Sequence, residues 1–269
     1  MISRELAALN PVLKRIILEK EVTSRTGEIR PLRSEIVTEE GFFIQDVIRQ
    51  LRPTSSLEIG CAHGVSSLFI LQALKEVGAE RHIIIDPFQH TSWDDIGLLN
   101  VDRAGFSDLI QFYPDLSYRR LPRLEQEGCR LDFSFIDGQH TFDYVLVDFF
   151  YIDKMLNVGG VIIFDDLLYP SIRKLCRYIL LNLPYSAIGP LTSASTGKRR
   201  IAELFTAQSS KINTRFGQRL GNILRADLTA PDPKIGLPSC NFVALRKDAD
   251  DVIGDGPTFN RRWDTHYRF

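Results

Sequence analysis

The run 57–67 constrains the fold most, because an apolar strand passes through a glycine turn and continues directly into a helical stretch. Gly60 and Gly64 can adopt backbone angles closed to other residues, and they leave no side chain between the backbone and a ligand. The helix that follows offers unpaired N–H groups at its start. The segment therefore predicts a small-ligand site against exposed backbone, with Glu58 as a hydrogen-bond acceptor beside the same cleft.

The chain has 269 residues, of which 44% are hydrophobic and 25% charged, a composition typical of a globular protein with one principal domain. Its formal net charge of −1 gives no support for extensive binding to nucleic acid or to an anionic membrane. No apolar run is long enough to cross a bilayer and the N-terminus lacks an apolar leader, so a cytoplasmic location is expected. The scattered cysteines argue against a zinc site or a disulfide framework.

Short apolar strands alternate with helical stretches through most of the chain. Strands are predicted at 56–60, 82–86, 109–113, 131–136 and 161–164, with late strands at 185–188 and 241–246. Helices are predicted between them at 65–77, 94–105, 117–127, 141–156 and 170–182, and two earlier helices within 6–17 and 41–51. Because continuous apolar strands are buried on both faces, we expect an α/β fold with a Rossmann-like, doubly wound, mostly parallel sheet.

The same pattern divides the chain into an N-terminal helical cap (1–52), a ligand-binding domain (53–248) and a C-terminal tail (249–269). The domain carries a locally basic insertion at 190–238, which we interpret as a solvated surface helix, a lid or a dimer contact. The tail is rich in aromatic residues and is expected to pack on the domain or on a partner.

The glycine turn lacks the spacing of a dinucleotide-binding loop. In a G-x-G-x-x-G pattern that starts at Gly60, Ala62 and Val65 would occupy the second and third glycine positions. The pattern E-x-G-x-x-x-G-x-S-S instead resembles motif I of class I S-adenosylmethionine (SAM)-dependent methyltransferases, especially O-methyltransferases of the catechol and caffeoyl-CoA type. The resemblance implies that 53–248 is a SAM-binding methyltransferase domain whose last strand is antiparallel.

Two further motifs sharpen the resemblance. Asp-Gly-x-His at 137–140 and Gly-Gly-x-Ile-Ile-x-Asp-Asp at 159–166 are similar to a bacterial, methyltransferase-24-like branch of the O-methyltransferases related to the catechol enzymes. The similarity covers residues 38–190. It implies that SAM contacts residues of the loops and strand ends: Glu58, Gly60, Ala62, His63, Gly64, Ser66, Asp86, Asp115, Ser117 and Asp137.

Some of these residues have a more specific expected role, because ligands of open parallel sheets bind beyond the carboxyl ends of the strands. Asp86 closes the second strand, at about the distance from the glycine turn where an acid accepts hydrogen bonds from a ribose. Asp115 and Ser117 follow the third strand, where the resembled family contacts adenine, and Ser117 could also cap a helix. His63 is expected either to reach the methionine carboxylate of SAM or to be solvated.

Three carboxylates, those of Asp137, Asp165 and Asp166, are expected to converge at adjacent strand ends, where they would repel one another without a cation. Hard oxygen ligands of this kind suit Mg²⁺. The resemblance puts the three on the metal triad of the catechol-type enzymes, where the third ligand is commonly Asn. His140 stands where that family has its catalytic Lys and is predicted to act as general base beside Asp137. The alternative is a structural histidine paired with Asp143 or Asp137.

The predicted function is SAM-dependent O-methylation of a small-molecule hydroxyl, assisted by Mg²⁺. A sugar hydroxyl, a phenol or another natural-product oxygen fits the acceptor equally. The alternatives are a nicotinamide-dependent oxidoreductase on a similar fold, a noncatalytic SAM-binding or interaction protein, and metal-assisted chemistry other than methyl transfer. The N-terminal helices and the tail make a homodimer reasonable.

Overall fold

The computed structural model describes residues 2–188 and 232–250. The α-helices in this part are α1 Ile2–Ala8, α2 Pro11–Glu19, α3 Thr38–Leu51, α4 Val65–Val77, α5 Ile96–Arg103, α6 Ser117–Gln126, α7 Phe142–Met155 and α8 Pro170–Asn182. The strands are β1 Glu21–Thr23, β2 Ile29–Pro31, β3 Ser55–Ile59, β4 Arg81–Ile85, β5 Ile110–Tyr113, β6 Leu131–Ile136, β7 Leu156–Phe164, β8 Tyr185–Ile188 and β9 Val243–Lys247. Of the predicted insertion 190–238 only residues 232–238 are described, with a 3-10 helix at Asp232–Ile235, and of the predicted tail only residues 249 and 250; the basic helix and the aromatic residues fall outside the described residues.

The central sheet has the strand order β5-β4-β3-β6-β7-β9-β8. Its strands β3 to β7 pair in parallel, whereas β9 runs antiparallel to both β7 and β8. The predicted doubly wound, mostly parallel sheet with a late antiparallel strand is therefore confirmed. Strand order reverses between β3 and β6, and a ligand crevice is expected at the carboxyl ends of these two strands.

Helices cover both faces of the sheet, as the continuous apolar strands require. One core cluster packs α6, α7 and α8 against side chains such as Leu57 and Phe164. The other packs α2, α3, α4 and α5 against the opposite face, where Phe133, Phe135 and Ile163 point. The period-two alternation along β6 and β7 thus divides large side chains between two layers, and the crevice is built on a rigid scaffold.

The region before the first strand of the central sheet differs from the prediction of two helices. The apolar run 6–17 is split because the Asn10 side chain accepts a hydrogen bond from Val12 N (3.0 Å) and Pro11 begins α2. Three helices result, and β1 and β2 form a separate antiparallel hairpin. The predicted strand 161–164 is also too short, because pairing with β6 begins at Leu156.

In the described part of the chain, we find no helix with both the length and the apolar character needed to cross a bilayer.

Candidate active site

A cavity of about 390 Å³ opens at the carboxyl ends of β3, β4 and β6. Six predicted cofactor-binding residues and the predicted catalytic histidine line it: Gly60, Ala62, Ser66, Asp86, Ser117, Asp137 and His140. Its wall also contains residues that the sequence analysis did not single out: Ser34, Cys61, Phe88, Leu116, Gly138, Gln139 and Tyr144. The strand ends therefore gather most of the predicted residues around one cavity.

The glycine turn is shaped by close backbone packing. Gly60 has φ +90°, and a Cβ there would lie 2.0 Å from the carbonyl oxygen of Asp137, so the turn after β3 presses against the turn after β6. Gly64 has φ +81° and lies directly before α4, where a Cβ would come within 2.9 Å of the Gly97 carbonyl oxygen. Both positions require glycine because of conformation and of space.

Asp86 stabilises the same turn. Its Oδ2 accepts hydrogen bonds from the backbone N–H groups of Cys61 and Ala62, both at 3.0 Å, and from the Gln89 side chain at 3.0 Å. Its Oδ1 accepts from Phe88 N at 2.8 Å. The carboxylate reaches the cavity wall, where a ribose was expected, but most of its acceptor capacity already holds the turn in place.

Glu58 lies beneath the turn, fully buried. Its carboxylate accepts hydrogen bonds from the hydroxyls of Ser66 and Ser67 (2.7 Å for Ser67), and it meets His82 Nε2 at 3.1 Å. These bonds tie the end of β3 to the start of α4 and to β4. Glu58 is not among the residues that line the cavity, so the structure places it as a support of the turn.

His63, Gly64 and Asp115 also lie outside the cavity lining among the described residues. His63 is 6% exposed, so the solvated alternative does not hold. Its Nδ1 accepts a hydrogen bond from Arg33 N (3.2 Å). Burial lowers the pKa of the imidazole, and the positive charge of Arg33 lowers it further. Asp115 turns back to accept from Leu116 N at 2.8 Å.

Ser117 begins α6 at the cavity wall and is hydrogen-bonded to Asp148 of α7. Asp148 is 1% exposed, and its Oδ1 has no hydrogen-bond partner among the described residues. Burial raises the pKa of this carboxyl to about 7. The carboxyl group is therefore a neutral acid at moderately low pH and becomes an unfavourable buried charge above it.

This pKa predicts how stability depends on pH. The folded state holds the Asp148 proton up to about pH 7, whereas an unfolded chain releases it near the ordinary aspartate pKa of 3.8, so stability decreases as pH rises through that window. The free energy of unfolding of Asp148→Asn should exceed that of the native protein by a margin that grows between pH 4 and pH 8. The margin should reach about 4 kcal/mol, because each pKa unit is worth about 1.4 kcal/mol. Chemical denaturation of both proteins at several pH values measures the gap, and a gap that does not vary with pH contradicts the assignment.

Beside the cavity lies a cluster of carboxylates that the two strand-end motifs supply. Ligand atoms of Asp137, His140 and Asp166 lie within 4.8 Å of one another. Asp165 adjoins them but points differently, since its Oδ1 accepts from Asp166 N at 2.6 Å and from the Asn241 amide at 3.0 Å. The most compact ligand set thus contains His140 in place of Asp165.

His140 pairs with Asp166, at 3.1 Å between Nε2 and Oδ2, and not with Asp143. Its ring stacks on Tyr169, with centroids 5.1 Å apart and an angle of 13° between the planes. The side chain is 35% exposed, so the imidazole is oriented by the protein and still reaches solvent or a ligand. This geometry suits both a general base and a metal ligand.

Without a cation, the carboxyl groups of this cluster cannot all be ionised near neutral pH. The pKa of Asp137 is raised well above its usual value by burial first, then by Asp165 and Asp166. Burial also raises the pKa of Asp165 to about 6. A neighbouring acid, Glu40, has its pKa raised to about 10 by burial, with Asp165 as the next cause. Among the described residues no Lys or Arg is ion-paired with Asp137, Asp165 or Glu40, and buried oxygen ligands in such a setting fit the chemistry of a divalent cation.

Two residues of this cluster were missed by sequence reasoning. Glu40 belongs to the first turn of α3, and Asn241 precedes β9 and donates from its amide to both Asp165 (3.0 Å) and Asp166 (3.1 Å). Neither lies in a motif at the end of a parallel strand. No local signal placed them here, because only the folded chain brings α3 and the segment before β9 to this edge of the sheet.

Comparison with known proteins supports the interpretation of the chain as a methyltransferase. Residues 57–167 match the family model of a methyltransferase domain. An Arabidopsis thaliana protein with the provisional name caffeoyl-CoA O-methyltransferase is 28% identical over 152 residues, 56% of this chain and 62% of the relative. A caffeoyl-CoA O-methyltransferase from Populus kitakamiensis is 25% identical over 162 residues, again 56% and 62%. The chain thus spans less than two thirds of the length of these curated relatives.

A solved structure shows the same fold. The O-methyltransferase from Bacillus cereus, in complex with S-adenosylhomocysteine (SAH), is 22% identical with a TM-score of 0.50, over 57% of this chain and 74% of that one. The mostly parallel central sheet with flanking helices described above matches the class I methyltransferase fold. The chain therefore has the class I methyltransferase fold, and its residues 57–167 match a methyltransferase domain similar to those of the O-methyltransferases.

Proposed function

We propose that the protein transfers a methyl group from SAM to the hydroxyl of a small molecule, assisted by a divalent cation. The observation that carries the proposal is that the cavity and the carboxylate cluster share Asp137 and His140. A cofactor in the cavity would thus end beside the groups that can activate an acceptor. The fold and the family match support this choice over an oxidoreductase.

The cofactor would be held mainly by backbone. The start of α4 presents N–H groups to the cavity, and the turn at Gly60 to Ala62 adds no bulky side chain there. Ser117 and Leu116 line the part of the cavity beside α6, where adenine contacts are expected. Bound SAM would supply a methyl group on a positively charged sulfur, which leaves proximity, alignment and a deprotonated acceptor for the protein to provide.

The cation would be held by Asp137 and Asp166, with Asp165 at the same centre, while His140 lies beside it and keeps its lone pair for the acceptor proton. Bound Mg²⁺ would lower the pKa of an acceptor hydroxyl and orient its oxygen. Asn241 fixes the two neighbouring carboxylates by donating to both of them. The hard oxygen donors of the cluster support Mg²⁺ over softer metals.

His140 is the proposed general base. Asp166 would stabilise the imidazolium that forms when His140 takes the acceptor proton, and Tyr169 would hold the ring in plane. In this transfer the O–H bond of the acceptor would break, a new O–CH₃ bond would form and the bond from the methyl carbon to sulfur would break. The products are a methyl ether and SAH, with the proton on His140.

We further propose that the N-terminal 1–52 region completes this site. Ser34 lines the cavity, Arg33 N donates to His63, and Glu40 reaches the carboxylate cluster. The acceptor would enter between this region and the segment after β7, where Leu168 and Tyr169 are exposed. Pairing of two chains in solution is part of the same proposal.

The test is transfer of label from methyl-labelled SAM to a panel of phenolic and sugar hydroxyls, with Mg²⁺ or with a chelator. We expect Mg²⁺-dependent labelling of at least one class, and a rate about 100-fold lower for His140→Gln that recovers partly as pH rises, because the acceptor then ionises unaided. Unchanged kinetics in the variant would remove His140 from the mechanism. Binding of SAH without label transfer to any acceptor would favour the noncatalytic alternative.

A further inference from the structure

Glu40 is an acid that neither the strand-end motifs nor the fold explains. It lies in the first turn of α3 and is 1% exposed, whereas its neighbour Glu39 is exposed to a greater extent. An ionised carboxyl buried to this extent is costly unless a charge or a set of donors compensates it. The Glu40 side chain is therefore expected to belong to a binding site.

The packing of α3 directs Glu40 inward. Gly41 follows it, and a Cβ there would lie 2.3 Å from the ring of Phe69, so α3 approaches α4 at close range. On the same helix the ring of Phe43 packs on Phe242, with centroids 5.2 Å apart. The first turn of α3 is thus fixed between α4 and the segment before β9, and the Glu40 side chain is held away from solvent.

The Glu40 carboxyl ends at the carboxylate cluster. It is hydrogen-bonded to Asp165, and Asp137 and Asp166 are also close enough to influence its charge. Its Oε1 is buried and has no hydrogen-bond donor among the described residues. Glu40 therefore presents an unused oxygen beside three other carboxylates.

No described cationic side chain compensates this group. The ion pairs of the described residues include none that joins a Lys or Arg to Glu40, Asp137 or Asp165. The amide of Asn241 is a donor that the structure assigns to the cluster, and it serves Asp165 and Asp166. A divalent cation is the compensating charge that such a set of oxygens can accept.

We propose that Glu40 is a fourth carboxylate of the cation centre, contributed by the N-terminal region and not by the methyltransferase sheet. The inference rests on the cation of the proposed function. It follows that α3 is part of the metal site, so that the cation joins the N-terminal region to the strand ends β6 and β7. A centre with four carboxylates also carries more negative charge than a triad, which favours tighter binding of a divalent ion.

The experiment uses Mn²⁺ as the probe, titrated into the full chain and followed by electron paramagnetic resonance of free Mn²⁺. Glu40→Gln keeps the size of the side chain and removes the carboxyl that could ionise on binding the cation, and Glu39→Gln is the matched control one residue away on the more exposed side. We expect the Kd for Mn²⁺ to rise at least about tenfold in Glu40→Gln and to stay unchanged in Glu39→Gln, a loss typical of a group that supports a metal site.

Thermal unfolding separates this role from a purely structural one. Without metal, Glu40→Gln should unfold at the same temperature as the native chain or higher, because the cost of burying an ionisable acid is removed, while the increase caused by Mn²⁺ should shrink. If Glu40→Gln binds Mn²⁺ with native affinity, or fails to fold, the inference about Glu40 is overturned while the proposed function stands. If the native chain binds no Mn²⁺, the cation of the proposed function fails as well.

Discussion

Asp137→Asn is expected to lower the rate of methyl transfer by at least about 100-fold, the loss usual when one electrostatic group of an active site is removed. Asp137 is a residue that the cavity and the carboxylate cluster have in common, so it can act on cofactor, cation and acceptor together. The affinity for SAH should change little, because the turn and not this carboxylate forms most of the cavity wall. Steady-state kinetics at saturating Mg²⁺, with calorimetry of SAH binding, measures both effects.

Asp166→Asn is the matched control for that substitution. Asp166 has φ +55°, a left-handed conformation that Asn also tolerates, and the resembled catechol-type enzymes commonly have Asn at this position. The variant should therefore fold and lose less activity than Asp137→Asn, because an amide oxygen can still coordinate the cation although the charge beside His140 is removed. Native turnover in Asp137→Asn, or equal losses in the two variants, would contradict the role assigned to Asp137.

Gly60→Ala is expected to destabilise the fold by roughly 4 kcal/mol or more, a loss found only for severe steric or buried-group defects. The new Cβ would lie 2.0 Å from the carbonyl oxygen of Asp137, and φ is +90° at this position. Relief would require the turns after β3 and β6 to separate, which would also open the wall of the cavity. Urea unfolding and SAH binding should both show the loss.

Gly78→Ala provides the comparison, because Gly78 has φ +76° at the end of α4, yet a Cβ added there would meet no atom within 4 Å. It carries only the cost of the left-handed conformation, about 1–2 kcal/mol. The difference between the two variants therefore isolates the contact between the turns. Equal losses would show that the contact at Gly60 contributes nothing beyond backbone conformation.

Much of the fold could be predicted because the signals are local. The bounds of α4 and α8 follow from apolar periodicity and from the residues that begin and end each helix, and β6 from a continuous apolar run. The exception before the sheet also had a local cause: Asn10 and Pro11 form a helix start within an apolar run whose spacing alone predicts one helix.

The site could be predicted only in part, because strand ends give positions and not partners. Asp86 and Glu58 lie at the predicted edge, yet their oxygens are largely engaged by the glycine turn and by the start of α4, which periodicity does not reveal. Glu40 and Asn241 join Asp165 from segments far apart in the chain. Such contacts depend on how α3 and β9 pack, and a motif within one segment carries no information about them.

The measurement that tests the central claim most directly is thermal unfolding of the full chain with SAH, with and without Mg²⁺, and with NADH as the control ligand. A ligand at about one hundred times its Kd stabilises the folded state by about 2.7 kcal/mol, which is readily detected. The account predicts a clear increase in Tm with SAH and none with NADH. No shift with SAH, or a shift with NADH alone, would contradict the assignment of the cavity to SAM.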